Sequence, residues 1–188
     1  MMTTLSRNLR ALGILSAVLS LPHIAAAGPY FVSVSTGSGV AVPGTPVTLT
    51  QTFDHTSGAT NIQFEQLLIH NQLNGVGACY LSYDRASNSV VLQYPSSGSG
   101  WSTPGSGQTA SNAQCTLYAS GSFASYNGNS LSVTYRVSFA ASFGGNKDLW
   151  VLARDYASLC AGWSDVGNYR VDRQPYFSYL SPSSKRSA

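Results

Sequence analysis

The chain is 188 residues long, 9% charged and 11% aromatic, with ten Lys and Arg against seven Asp and Glu. Arg7, Arg10, Lys185 and Arg186 stand near the two ends, which leaves six basic and seven acidic residues in the body; that balance argues against the concentrated basic surface nucleic-acid binding needs. Ser, Gly, Thr, Tyr and Val are plentiful, a palette for short strands and tight turns rather than for helices.

Residues 1–27 read as a helical secretory signal peptide. Arg7 and Arg10 precede an apolar run from Ala11 to about Leu21, and the small residues Ala25, Ala26 and Ala27 follow. Ser16, Ser20, Pro22 and His23 interrupt the apolar stretch and no positively charged stop follows it, so cleavage after Ala27 is expected instead of a membrane anchor. No later segment reaches the length of a membrane-spanning helix. The expectation is a secreted, periplasmic or cell-surface protein with no stable membrane span after cleavage, one domain over residues 28–173, and a tail over 174–188.

Along that domain, period-two alternation recurs and helical periodicity does not. Strands are predicted at YFVSV (30–34), VTLTQTF (47–53), NIQFEQLLI (61–69), ACYLSYD (78–84), SVVLQY (89–94), QCTLYA (114–119), LSVTYRVSF (131–139), DLWVLARD (148–155) and NYRV (168–171). The clearest is 131–139, with Leu131, Val133, Tyr135, Val137 and Phe139 on one face. In 47–53 the alternation has one exception, Gln51, and in 61–69 the phase changes between Phe64 and Leu67, so a bulge near Glu65 or Gln66 is expected. Residues 95–112, PSSGSGWSTPGSGQTASN, read as an extended loop. Short strands separated by turns such as Asn74-Gly75 and Asn127-Gly128 point to an all-β fold of two packed antiparallel sheets, with a barrel as the alternative.

Several of these segments resemble a bacterial extracellular Ig-like β-sandwich module of unknown function, found in surface and repeat-containing proteins. The residues that carry the resemblance are Leu73-Asn74-Gly75, Ala78-Cys79-Tyr80-Leu81-Ser82-Tyr83, Gln114-Cys115, Asp155-Tyr156-Ala157, Gly162-Trp163 and Val166-Gly167, and the matched region runs from about Gly28 to Val171. The resemblance implies an Ig-like sandwich in an exported protein; it supplies no catalytic residues. Where the family usually has a polar residue before its Ser-Gly-Trp ending, this chain has Cys160.

Three cysteines in an oxidising compartment leave one over. Loop length does not choose a pair, because the Cys79–Cys115 and Cys115–Cys160 loops differ little in closure entropy. Strand phase aligns Cys79 with Leu81 and Tyr83, and Cys115 with Leu117, so both can face one core, and the resemblance implies the same pair. Cys160 is then a free thiol or the site of an intermolecular disulfide.

Chemistry-bearing motifs are sparse. Beyond the leader only His55 and His70 remain as bases for Cys160, and neither has a signature that would orient it. The sequence has no G-x-S-x-G, C-x-x-C or H-E-x-x-H; Gly105–Ala110 imitates a nucleotide loop but no helix is predicted after it, so no catalytic residue, cofactor or metal site is assigned. Asp54, Asp84, Asp155 and Asp165 read as turn caps or solvated surface groups rather than calcium ligands, and Glu65 is the only glutamate. Trp101 in the polar loop is a possible ligand contact, whereas Trp150 in a strand and Trp163 in the matched ending suit packing better. The functional expectation is a non-enzymatic structural or recognition module whose partner is another surface protein or a glycan. The alternatives are a carbohydrate-binding module and a secreted hydrolase using dispersed Asp residues.

Overall fold

The computed structural model describes residues 28–35, 39–94 and 98–172. The expected signal peptide, residue 173 and the tail over 174–188 lie outside the described residues. Twelve strands appear among the described residues: β1 (Pro29–Ser35), β2 (Val40–Ala41), β3 (Val47–His55), β4 (Ile62–His70), β5 (Cys79–Asp84), β6 (Ser89–Tyr94), β7 (Gly98–Ser102), β8 (Thr109–Ser111), β9 (Cys115–Asn127), β10 (Ser130–Phe139), β11 (Gly145–Asp155) and β12 (Ser164–Val171). They form a five-stranded sheet in the order β1-β3-β10-β9-β8 and a seven-stranded sheet in the order β2-β12-β11-β4-β5-β6-β7. The two sheets pack into a β-sandwich, as the alternation predicts, and all pairings are antiparallel except the short β2–β12 pair.

The core follows from strand phase. Leu131, Val133, Tyr135, Val137 and Phe139 of β10 are buried, and they meet Leu67 and Ile69 of β4, Leu81 and Tyr83 of β5, and Leu149 and Val151 of β11. Burying one such side chain contributes roughly 1.5–3 kcal/mol, so the two inward faces hold the sheets together. A disulfide between Cys79 of β5 and Cys115 of β9, with Cα atoms 5.6 Å apart, adds a covalent link from one sheet to the other.

Two local expectations are corrected. The bulge in β4 falls at Gln63, between the pairs Arg154–Phe64 and Asp155–Ile62, and not at Glu65 or Gln66. The unbroken pairing of Phe64–Ile69 with β5 keeps Leu67 and Ile69 inward, which carries Glu65 inward with them and turns Phe64 out under the Arg154 guanidinium. Second, the Ser/Gly-rich stretch contains β7 and β8, hydrogen-bonded to β6 and β9. Those pairings override the weak strand propensity of Gly and Ser. The stretch closes one side of the sandwich at Gly100, where a Cβ would stand 2.6 Å from the Ala110 Cβ and 2.7 Å from the Tyr94 hydroxyl.

Candidate functional site

The sequence singled out Cys160, Trp101 and the two histidines, and the structure scatters them. Cys160 is exposed beside Arg154 of β11, and its Sγ accepts a bond from the Gly162 N–H at 3.3 Å. His70 ends β4, with Nδ1 at 3.2 Å from the Gln72 carbonyl. His55 is buried at the end of β3 and stands 3.1 Å from Asp155 of β11. The Ser57 N–H donates to His55 Nδ1 at 3.1 Å, so the ring proton sits on Nε2 and points at Asp155 Oδ2. Asp155 Oδ1 accepts from the Leu159 N–H at 2.8 Å. Both ring nitrogens and both carboxylate oxygens are thus engaged, which makes the pair a pin between sheets rather than a base waiting for a nucleophile.

The other aspartates singled out by the sequence are similarly occupied, whereas Glu65 is not. Asp84 accepts from the Ser87 N–H and hydroxyl, and Asp165 from the Gly167 N–H, so these two cap turns. Asp54 is not a turn cap: it accepts from Ser130 and Tyr30 on neighbouring strands. Glu65 lies in the core beside Gln51, the two polar exceptions to the strand patterns meeting across the interior. Neither side chain makes a hydrogen bond of ordinary geometry. Burial pushes the Glu65 carboxyl well above its usual 4.5, and the nearby Gln51 amide offsets only part of this.

Both outer faces of the sandwich carry aromatic rings, in different company. That of the five-stranded sheet has a hydroxyl ladder bonded to itself, with Thr50 against Thr134 and Thr52 against Ser132, each at 2.8 Å, flanked by Tyr30 opposite Asp54, Phe123 opposite Thr134 and Tyr118 beneath the Arg136 guanidinium. That of the seven-stranded sheet carries aromatic rings. Trp101 lies on β7, not in a loop, and is 55% exposed opposite Val91 of β6. Trp150 points away from the core because its neighbours Leu149 and Val151 point in, which corrects the packing role expected of it. Trp163 meets Tyr80 of β5 with ring centroids 5.9 Å apart, a reach across the intervening β11 and β4. Beside these rings runs a polar row: Ser99 donates to Gln93 at 2.6 Å and Gln93 donates to Ser82 at 2.9 Å.

At the end of the sandwich marked by the His55–Asp155 pin, an open cleft of about 510 Å³ is lined by Thr60, Tyr83, Arg85, Ala86, Asn88, Ala124 and Tyr126. Arg85 lies in the β5–β6 turn with its N–H on the Gln63 carbonyl at 3.0 Å, and the turn closes through Asn88 at φ 46°. The Arg85 guanidinium sits 5.9 Å from the Tyr126 ring and 5.8 Å from the Tyr156 ring. The sequence reading missed this cluster. Arg85, Tyr126 and Tyr156 are far apart along the chain and no local pattern joins them; the one visible sign was the turn between two strands.

No family model and no curated protein matches the chain. Among solved structures, the chain is similar to AvmM, described as catalysing macrocyclization in alchivemycin A biosynthesis, at 12% identity and a TM-score of 0.37, over 82% of this chain and 93% of that one.

Proposed function

We propose that the chain is an exported, non-catalytic recognition module, of the Ig-like kind its sequence resembles, acting through the outer face of the seven-stranded sheet. The observation that carries this reading is the gathering of Trp101, Trp150, Trp163 and Tyr80 on that one face. Aromatic rings pack on the apolar faces of sugars, and the half-buried Gln93 and Ser99 beside them keep spare hydrogen-bonding capacity for ring hydroxyls, so a polysaccharide is the ligand class this face fits best. The opposite face holds Tyr30, Tyr118 and Phe123 but no tryptophan, beside a hydroxyl ladder that satisfies itself. Export is supported by the leader-like residues 1–27 and by a disulfide, a bond that persists in oxidising compartments. The engagement of His55 and Asp155 with each other and with the backbone speaks against a hydrolase.

Retention on a panel of insoluble polysaccharides tests the proposal. The expected result is binding to at least one of them, weakened roughly fivefold in Trp101→Ala, the scale of one lost aromatic contact of about 1 kcal/mol. No retention across the panel, or a Trp101→Ala variant that binds as the wild type does, overturns it. Release of reducing ends that stops in Asp84→Ala or Asp165→Ala, with the variant as stable as the wild type, would instead establish the hydrolase.

A further inference from the structure

We infer that the end cleft around Arg85 is a second binding site, separate from the aromatic face, and that it takes a carboxylate-bearing sugar such as a uronic acid. The guanidinium stands over the Tyr126 and Tyr156 rings, with a long hydrogen bond, 3.5 Å from Nη1 to the Tyr156 hydroxyl, and a lesser interaction with the Tyr126 hydroxyl. Neither ion pair among the described residues, His55–Asp155 or Arg170–Asp172, involves it. Asp84 next to it is taken up by Ser87, and no acidic side chain lines the cleft. A positioned, partly desolvated guanidinium with open donors matches a planar carboxylate through two parallel bonds.

The hydrogen-bond directions around the cleft add to this. Tyr83 donates to Asn88 Oδ1 at 2.9 Å, so the Tyr126 hydroxyl, 2.9 Å from that of Tyr83, is the donor of the second link. Since Asn88 Oδ1 is used as an acceptor, the Asn88 amide presents its NH2 group, a further donor in the cleft lining. Thr60 adds a hydroxyl to the lining, able to accept from a sugar hydroxyl. One positive charge balances one carboxylate; a phosphomonoester, carrying nearly two negative charges, would call for a second cation that the lining lacks.

Titration of the ¹⁵N-labelled protein with sodium galacturonate, galactose and inorganic phosphate at fixed ionic strength tests the site. Galacturonate is expected to shift the Arg85 Nε–H and Asn88 side-chain signals, galactose to leave them in place, and phosphate to act more weakly. Arg85→Ala should weaken galacturonate binding about tenfold or more. Arg85→Lys, which keeps the charge and the stem but not the fork, should fall between, while both variants retain the dispersed amide spectrum of the folded chain. Trp101→Ala should bind galacturonate as the wild type does, which keeps this result distinct from that of the aromatic face. Equal shifts with galactose, phosphate binding as strong as galacturonate binding, or an Arg85→Ala variant that binds normally would each overturn the inference.

Discussion

His55 of β3 and Asp155 of β11 meet at 3.1 Å inside the protein, one from each sheet, with every polar atom of both side chains' heads in a hydrogen bond. Removing one partner leaves the other buried and unpaired. Asp155→Ala strands the His55 Nε2–H and the Leu159 N–H together, and is expected to cost about 3 kcal/mol in urea unfolding. A loss under about 0.5 kcal/mol would show that the pin is incidental.

Glu65 gives the protein a pH dependence of definite sign. Its carboxyl titrates well above 4.5 when folded and near that value when unfolded, so between the two the folded chain holds a proton the unfolded chain has released. Stability from this group is fully present below about pH 4.5 and falls as pH rises through the folded pKa, at up to about 1.4 kcal/mol per pH unit. Glu65→Gln removes the charge at nearly constant shape. Urea midpoints of wild type and variant should diverge as pH rises, the variant becoming the more stable; parallel curves would refute the assignment.

The Cys79–Cys115 link closes a loop with a sequence separation of 36. In the chain-entropy model this contributes about 3.8 kcal/mol, so reduction or a Cys79→Ser, Cys115→Ser double change should lower the melting temperature strongly. Cys160 is exposed and outside the bond. Native alkylation without reductant should label one thiol per chain, and Cys160→Ser should alter stability by less than about 0.5 kcal/mol. Labelling of Cys79 or Cys115 would contradict the pairing.

Gly100 marks where β7 and β8 close one side of the sandwich, with no room for a methyl group between Ala110 and Tyr94. Gly100→Ala is expected to destabilise by about 1–3 kcal/mol through overpacking. Gly105→Ser, in the same stretch but with open space around its Cβ position, is a contrast only in crowding: its φ of +76° adds backbone strain. Faster hydrogen exchange in β7 and β8 for Gly100→Ala is the accompanying signature, and unchanged exchange would argue against a closing role.

How far the sequence reached depended on the range of the interactions involved. Strict alternation in residues 131–139 needs only the two-residue period of a strand and a core on one side, and the structure buries that face. Where the pattern broke, local reading failed: Glu65 lies in phase with Leu67 and Ile69, so their packing drew it inside and moved the bulge to Gln63. Trp101 looked like a loop residue because Ser and Gly surround it, yet pairing with β6 made its segment a strand.

The sequence by itself determined an all-β fold and the cysteines able to face one core, because both follow from periodicity and residue type along a few neighbouring positions, while the choice of a sandwich over a barrel was left to the sheet order. Only the tertiary structure decided that three tryptophans share one outer face, and that Arg85 lies between Tyr126 and Tyr156. Those encounters are set by sheet order and turn geometry, which bring together side chains from segments far apart in the chain, and no local pattern encodes them.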